Sequence, residues 1–240
     1  MVIYTSNMLE NYLKNDWILE MMLMEEKEED KSVRTHQWLK TMDNKRLIFS
    51  HVYGDILEQA GCEIKNKILD VGGGYTSLTR KMLVNSEYML LDFMAHGGKE
   101  IIEKIECENK KEFWINSDWM EYDISQKKFD IIIANDIFPD VDQRLELFID
   151  KYLPHCKELR LVLTFYNTPK YYRTKRVDDA EVLTFLSWDG EITGIKLRKY
   201  IENFIDTTSD EIEKLKDVNE SIYWNGRQVV YIKLAGGIRE

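Results

Sequence analysis

From residue 67 onward, short apolar runs alternate with stretches of helical periodicity, and this alternation constrains the fold more than any other feature of the sequence. Strand–helix alternation is typical of βαβ units and of a parallel sheet. The runs IIIA and LVLTF lack a period of two, as expected of central strands covered by helices on both faces. We therefore predict an α/β fold with a mostly parallel sheet and helices on both of its faces.

The two ends of the chain differ from this pattern. Residues 1–60 carry apolar residues at helical spacing and are predicted to be helical. Near the other end, SIYWNGRQVVYIKLA has two strand-like runs around Asn225-Gly226, a strong hairpin signal, so the sheet is expected to end with an antiparallel element. We predict a helical lid or appendage at residues 1–62 and a ligand-binding domain at residues 63–240.

The composition excludes several classes of protein. The chain has 240 residues, of which 44% are apolar and 12% aromatic, enough for one sizeable core. A net charge of −10 disfavours a nucleic-acid partner, which requires a basic surface. Because no long apolar run and no signal-peptide pattern occur, we expect a cytoplasmic protein without a membrane partner. The three scattered cysteines form no CxxC pair and indicate no metal site.

The stretch KILDVGGGYTSLTRKM, residues 67–82, places an acid and three glycines between a strand and a helix. Ligands of parallel α/β sheets bind at the carboxyl ends of the strands. Gly72, Gly73 and Gly74 allow a sharp turn and the close approach of a ligand. The helix that follows is expected to offer unpaired N–H groups to an anionic group of the ligand.

Two interpretations of this glycine cluster compete. Gly72, Gly74 and Ser77 match a GxGxxG dinucleotide motif that lacks its third glycine. Asp70 indicates a cationic ligand instead, because a carboxylate beside the glycines repels a pyrophosphate and attracts an ammonium or sulfonium group. S-adenosylmethionine has both cationic groups and no phosphate, so the charge favours this cofactor over NAD.

Two further acids follow the next two predicted strands. Asp92 ends the second strand, 22 positions after Asp70, where an acid accepts hydrogen bonds from ribose hydroxyls. Asp118 follows the third strand and is expected to accept from the adenine amino group, with Trp119 covering the ring or offering its backbone N–H. The alternative is that each acid caps a helix or a turn. Three acids at the ends of three successive strands are a more specific signal than any one of them.

These motifs resemble those of the class I S-adenosylmethionine-dependent methyltransferases. ILDVGGGYTSL is similar to the first motif of that family, and LLDF, NSDWM and FDIIIANDIF are similar to the next three. LRLVLTFYN resembles the fifth strand. The resemblance covers about residues 65–235 and implies a Rossmann-like, seven-stranded, mostly parallel sheet whose last strand is antiparallel. The third glycine of the family's pattern is Thr76 here.

The resemblance implies S-adenosyl-L-methionine as the cofactor and places its parts. The methionine end would lie against Asp70 and the three glycines, while the other two acids keep the ribose and adenine roles given above. Phe93 and Asn135 lie within the same motifs and complete the cofactor-binding candidates.

A methyl acceptor in this family is expected above the fourth and fifth strands. Methyl transfer is an in-line displacement that needs alignment and often a base. Asp136 is the first candidate base because it directly follows the predicted fourth strand, and Asp140 is the second, although both can instead stabilise the loop. His51 is a third candidate, since residues before the first strand often form a lid over the acceptor in this family.

The leading hypothesis is a methyltransferase that acts on an O or N atom of a small molecule. A sugar or nucleotide-linked sugar is expected as acceptor, because the basic, aromatic stretch at residues 170–176 suits a phosphate, unless it is simply a solvated loop. The alternatives are an aminopropyltransferase, as in polyamine synthases, and a non-catalytic methyltransferase-like subunit, which Thr76 leaves open. The amino-terminal segment either closes over the ligands or packs against a second subunit in a homodimer.

Overall fold

The structure, a computed structural model, describes residues 1–14, 26–58, 65–93, 97–138, 144–175 and 182–237. The chain divides into two compact units. We call Leu9–Tyr122 the glycine-loop unit, and Met1–Met8 together with Asp123–Glu240 the carboxy-terminal unit. The boundary that the sequence suggests after residue 62 stays a prediction.

The secondary structure of the described residues follows the strand–helix alternation. The strands are β1 (Val2–Ile3), β2 (Lys67–Val71), β3 (Glu87–Leu91), β4 (Trp114–Ile115), β5 (Phe129–Phe138), β6 (Cys156–Phe165), β7 (Lys170–Lys175), β8 (Val182–Ser187) and β9 (Gln228–Ala235). The α-helices are α1 (Ser6–Tyr12), α2 (Arg34–Thr41), α3 (Asp43–Glu58), α4 (Ser77–Asn85), α5 (Lys99–Asn109), α6 (Arg144–Tyr152), α7 (Gly190–Leu197) and α8 (Ser209–Glu213). Short 3-10 helices cover Glu28–Ser32, Leu153–His155, Arg198–Asn203 and Lys214–Asp217. None of the described helices has the length and apolar character to cross a membrane.

In the glycine-loop unit, β2, β3 and β4 pair in parallel. Val71 lies opposite Leu91, and Leu91 lies opposite Ile115, so the three strands end at the same edge. Ile68 and Leu69 of β2 are fully buried. Each of β2 and β3 is followed by a helix, α4 and α5 respectively, which confirms the predicted alternation here.

In the carboxy-terminal unit, β5 and β6 pair in parallel and are buried on both faces, since consecutive residues such as Ile132 and Ile133 are 0% exposed. β9 runs antiparallel to β6, with Glu158 opposite Ala235 at one end of the pairing. The predicted antiparallel last strand is therefore confirmed.

The hairpin predicted around Asn225-Gly226 is wrong. Gly226 has a left-handed φ of 78° in a turn closed by its amide on the Tyr223 carbonyl (3.1 Å), but no strand precedes this turn. β9 instead has β6 on one side and β1 on the other, where Val2 lies opposite Tyr231. Both edges of β9 are filled, so no edge remains for a hairpin partner. The sequence pattern of residues 1–60 favours helix and does not reveal β1.

The basic, aromatic stretch, for which the sequence leaves a solvated loop as the alternative, forms the strand β7 over Lys170–Lys175, which pairs antiparallel with β8. Its tyrosines and threonine have high strand propensity. Because neighbouring residues of a strand face opposite ways, Tyr171 and Arg173 share one face, while Lys170 and Tyr172 share the other. The cations are thus divided between two faces. Arg176 lies outside the described residues.

The predicted fold class is confirmed. Apart from the hairpin of β7 and β8, the glycine-loop unit supplies three strands and the carboxy-terminal unit supplies four. These are the seven strands of a mixed, Rossmann-like α/β fold, mostly parallel and with an antiparallel last strand. The carboxyl ends of β2, β3 and β4 carry the candidate site.

Candidate functional site

The glycine loop, residues 72–76, connects β2 to α4 at the edge where β2, β3 and β4 end. Gly72 and Gly74 have left-handed φ values of 67° and 64°, which residues with a Cβ rarely adopt. Gly73 is needed for a different reason, because a Cβ at this position would lie 2.5 Å from Oδ2 of Asp70. The glycines therefore let the loop rest directly on the Asp70 carboxyl group.

Asp70 lies beneath the glycine loop, where its side chain is 3% exposed, and not beside the loop as predicted. The Tyr88 hydroxyl donates to Oδ2 (2.9 Å), and the Tyr53 hydroxyl lies 3.2 Å from both oxygens. Burial raises the pKa of Asp70 to about 7; the two tyrosine hydrogen bonds oppose this rise, and Asp92 adds to it. Among the described residues, no basic side chain pairs with this carboxyl group.

The two tyrosines are site residues that sequence reasoning missed. Asp70 lies opposite Leu90 in the parallel pairing of β2 and β3, so Tyr88, two residues earlier, is on the same face as Asp70. An alignment of the two strands would have revealed this contact. Burial and the Asp70 carboxylate raise the pKa of Tyr88 well above its usual value, so its hydroxyl stays a donor. Tyr53 belongs to α3, and no local pattern connects it to β2.

A cavity of about 10 Å³ lies beside the Asp70 carboxyl group, and Phe49, Tyr53 and Met82 are among the residues that line it. This volume holds about one water molecule. A nucleoside does not fit there. A ligand of that size would have to contact the outer side of the loop, and Asp70 would then act on it through its charge and not through a direct contact.

The amino terminus of α4 is closed, so the predicted cradle of free N–H groups is wrong. The Ser77 amide donates to Nδ1 of His36 (3.3 Å). The Leu78 amide donates to the Thr76 hydroxyl (3.2 Å), and the Thr79 amide donates to the Thr76 carbonyl (3.0 Å). Thr76 caps the helix as the first member of a capping box. The fully buried His36 thus has a structural contact that sequence periodicity did not reveal.

Residues 26–41 pack against the glycine loop. The Thr35 hydroxyl donates to the Tyr75 carbonyl, and a Cβ on Gly74 would lie 2.8 Å from Cγ2 of Thr35. The Tyr75 hydroxyl in turn donates to Oδ1 of the buried Asp30 (2.6 Å). These contacts hold the loop in its conformation. Whether the segment also closes over a ligand, as expected of a lid, stays a prediction.

Asp92 follows β3 and contacts the glycine loop directly. Its Oδ2 accepts a hydrogen bond from the Gly74 amide (3.0 Å), and its carbonyl accepts one from Nε1 of Trp114 (2.7 Å). The side chain is half-buried, so a ligand can still reach it. Phe93, the next residue, is 49% exposed. The structure thus brings Asp70, the glycines and Asp92 into one site.

Asp118 lies in a turn after β4. Its Oδ1 accepts from the Met120 amide (2.6 Å), and its carbonyl accepts from the Tyr122 amide (2.9 Å). These contacts match the turn-stabilising alternative that the sequence leaves open. Trp119 is half-buried beside it. The adenine contacts of Asp118 and Trp119 stay predictions.

Of the two predicted catalytic aspartates, Asp136 belongs to the described residues. Asp136 lies inside β5, which continues to Phe138, and does not directly follow the strand as predicted. The pairing of β5 with β6 shifts its register between Asn135 and Phe138, so Asp136 lies at an irregularity of the strand. Asp140 lies outside the described residues.

The last two candidates lie on different elements. Asn135 of β5 is 9% exposed, and its Nδ2 has no hydrogen-bond partner in the described part of the chain. A buried amide without a partner is rare and is typical of a group that meets a ligand or water. His51 of α3 is half-buried, and burial lowers its pKa. It lies two positions from Tyr53, and such positions face different sides of a helix.

Comparisons with known proteins give matches among solved structures. No protein-family model matches the chain, and no curated protein matches it. Thermoplasma acidophilum protein 1320 is 13% identical, with a TM-score of 0.45 over 93% of this chain and 97% of that chain. Magnesium protoporphyrin IX methyltransferase from Synechocystis, solved with bound S-adenosylmethionine, is 13% identical, with a TM-score of 0.45 over 83% and 95%. A S-adenosylmethionine-dependent methyltransferase from Clostridium acetobutylicum is 11% identical, with a TM-score of 0.45 over 84% and 97%. Because the sequence identities are only 11–13%, these matches show a similar fold, and the cofactor has to be inferred from the geometry of the site.

Proposed function

We propose that the chain is an S-adenosylmethionine-dependent methyltransferase that acts on an O or N atom of a small molecule. The supporting observation is the setting of Asp70, a buried carboxyl group with only neutral hydrogen-bond donors and, in the described residues, no basic partner to stabilise its ionised form. Buried charges in proteins are normally paired. A ligand that brings the missing positive charge to the glycine loop is therefore favoured, and S-adenosylmethionine brings a sulfonium and an ammonium group.

The closed end of α4 supports this cofactor over a dinucleotide. A pyrophosphate at a glycine-rich loop binds to the free amides of the following helix. The amides of Ser77, Leu78 and Thr79 already have partners, and an ionised Asp70 beneath the loop would repel a phosphate. These contacts favour a phosphate-free adenosine compound over NAD.

Thr76 also argues against a subunit that has lost its cofactor. Its side chain caps α4, and a glycine at this position could not make that hydrogen bond. The departure from the family's third glycine thus has a structural role of its own, and it is compatible with a functional site.

Different residues of the chain have different roles in the proposed reaction. The ribose hydroxyls would donate to Asp92, which the Gly74 amide holds at the loop. When bound, S-adenosylmethionine supplies an electrophilic methyl group on a sulfonium sulfur. Asp70 stabilises that positive charge from beneath the loop, and Asp136 is proposed as the base that takes the proton of the acceptor.

The acceptor is proposed to be a sugar or a nucleotide-linked sugar. The support comes from the basic residues of β7, which divide between two faces of the hairpin. Nζ of Lys170 lies 3.8 Å from the centre of the Tyr166 ring, a cation–π contact, while Arg173 is exposed on the opposite face. A single exposed guanidinium suits one phosphate group bound in a bidentate manner.

Calorimetry with S-adenosylhomocysteine tests the cofactor. We expect Asp92→Ala to weaken binding at least tenfold, because charge-assisted hydrogen bonds worth roughly 1.5–3 kcal/mol are lost. Asp123→Ala is a matched control, since Asp123 also accepts a backbone amide, that of Ser125 (2.9 Å), but lies outside the site. Unchanged affinity in Asp92→Ala would remove the ribose assignment. No binding to the wild type at millimolar ligand would favour the non-catalytic alternative.

A product assay separates methyl transfer from aminopropyl transfer. The protein is incubated with putrescine and either S-adenosylmethionine or its decarboxylated form. We expect no polyamine product from either cofactor. Formation of spermidine from the decarboxylated form would refute methyl transfer in favour of the polyamine synthase alternative.

A further inference from the structure

The surroundings of Asp70 contain no positive charge among the described residues. The titratable groups that face its carboxyl group are Tyr53 from α3, Tyr88 from β3 and Asp92 at the end of β3. The other residues around the adjoining cavity are uncharged, namely Phe49, Gly73, Gly74, Thr76, Leu78, Thr79 and Met82. The carboxyl group therefore has hydrogen-bond donors but nothing in this environment that neutralises its ionised form.

We propose that Asp70 ionises when a sulfonium ligand binds to the glycine loop and is reprotonated when the ligand has become the uncharged thioether. Tyr53 and Tyr88 are the positioning residues that hold the Asp70 carboxyl group beneath Gly73. This inference rests on the proposed function and deepens it. It makes Asp70 the residue by which the site distinguishes the cofactor from its product.

The physical reason is the balance between burial and charge. Burial favours the neutral carboxylic acid, and a cation on the other side of the loop favours the carboxylate. After methyl transfer the sulfur has lost its positive charge, so burial again favours the acid. One proton passes from Asp70 to solvent on binding and returns from solvent after transfer, and no other bond at Asp70 changes. Because the pKa of Asp70 is about 7, both forms are accessible near neutral pH.

The two tyrosines determine where the carboxyl group lies and at which pH it ionises. The Tyr88 hydroxyl makes the shorter contact, 2.9 Å against 3.2 Å for Tyr53, and both donors favour the ionised form. Loss of the Tyr88 hydroxyl therefore has to raise the pKa of Asp70 further. A purely structural role of Tyr88 would affect stability but leave this pKa unchanged.

Proton release on ligand binding tests the proposal. The full chain is titrated at pH 6.5 with S-adenosylmethionine and with S-adenosylhomocysteine, in two buffers with different ionisation enthalpies. At pH 6.5 the amino group is protonated in both free compounds, so a difference between them reports on the response of the protein to the sulfonium charge. We expect about 0.8 more protons to be released with S-adenosylmethionine, as a group of pKa about 7 gives up its proton. Asp70→Asn should abolish this difference.

Two tyrosine variants test the positioning role. In Tyr88→Phe the pH of half-maximal proton release should move upward. Tyr200→Phe is the matched control, because Tyr200 is also buried and donates to an aspartate, Oδ1 of Asp150 (2.7 Å), in the other unit. Its proton release should match that of the wild type. Identical pH profiles for Tyr88→Phe and the wild type would refute the positioning role.

The outcomes separate this inference from the proposed function. Equal proton release with the two ligands, both of which bind, would overturn the coupling at Asp70 while the cofactor assignment stands. Failure of both ligands to bind at millimolar concentration would overturn the inference and the proposed function together. A difference that persists in Asp70→Asn would assign the proton to another group and would also refute the inference.

Discussion

Replacement of Asp70 by asparagine is expected to stabilise the fold above neutral pH. Burial raises the pKa of this carboxyl group from an ordinary 3.8 to about 7 in the folded chain. A carboxyl group whose folded pKa is raised contributes its full stability below the unfolded pKa. That contribution is lost as the pH rises through the folded pKa. The wild type therefore becomes less stable between about pH 4 and pH 7, and an asparagine, which does not ionise, removes this loss.

The magnitude follows from the two pKa values. Each pKa unit corresponds to about 1.4 kcal/mol, so full ionisation of Asp70 costs the folded state about 4 kcal/mol. Between pH 5 and pH 8 the part that is lost is about 3 kcal/mol. The hydroxyls of Tyr53 and Tyr88 can still donate to the amide oxygen of an asparagine, so the packing beneath Gly73 is kept.

Urea unfolding at pH 5, 6, 7 and 8 measures this effect, with both proteins followed by tryptophan fluorescence. All other ionisable groups are common to the two proteins, so the difference in their free energies of unfolding reports on Asp70 alone. We expect Asp70→Asn to gain about 3 kcal/mol relative to the wild type between pH 5 and pH 8. A difference that does not change with pH would show that Asp70 is not a buried, titrating group, and the reasoning on the cofactor's charge would fail with it.

Three further variants test the loop, its cap and the proposed base. Gly73→Ala should lower stability by about 1–3 kcal/mol, because its Cβ would lie 2.5 Å from the Asp70 carboxyl group; unchanged urea unfolding would contradict the close packing seen there. Thr76→Ala should cost about 1 kcal/mol by loss of the helix cap, while Thr76→Ser should not, and equal stability of the two would argue against the cap. Asp136→Asn should slow methyl transfer and leave the affinity for S-adenosylhomocysteine nearly intact; a fully active variant would place the base elsewhere.

The sequence predicts the parts of the fold that local pattern determines. The apolar runs near Asp70 and Asp92 are strands, and the helices after them begin where expected. Both are visible in the sequence because buried strands are short apolar runs and helices that pack on the sheet carry apolar residues at helical spacing. The Asn225-Gly226 hairpin fails for a non-local reason. A two-residue turn signal carries no information on whether the following strand has a free edge, and β1 and β6 occupy both edges of β9.

The same limit applies to the site. The sequence predicts that Asp70 and the three glycines lie between a strand and a helix, because this pattern is formed by residues that are neighbours in the sequence. The partners of Asp70 cannot, because Tyr53 is 17 residues away on a helix and its contact exists only in the packed unit. His36 is a similar case, since it meets the Ser77 amide from 41 residues away and closes a helix end that looks open in the sequence.

The nature of the ligand can be decided by one calorimetric comparison. The wild type is titrated at pH 7.5 with S-adenosylhomocysteine and, under the same conditions, with NAD. We expect one equivalent of S-adenosylhomocysteine to bind and NAD to give no heat of binding at millimolar concentration, since the acids at the strand ends and the closed helix exclude a pyrophosphate. Binding of NAD without binding of S-adenosylhomocysteine would contradict a cationic, phosphate-free adenosine ligand at this loop.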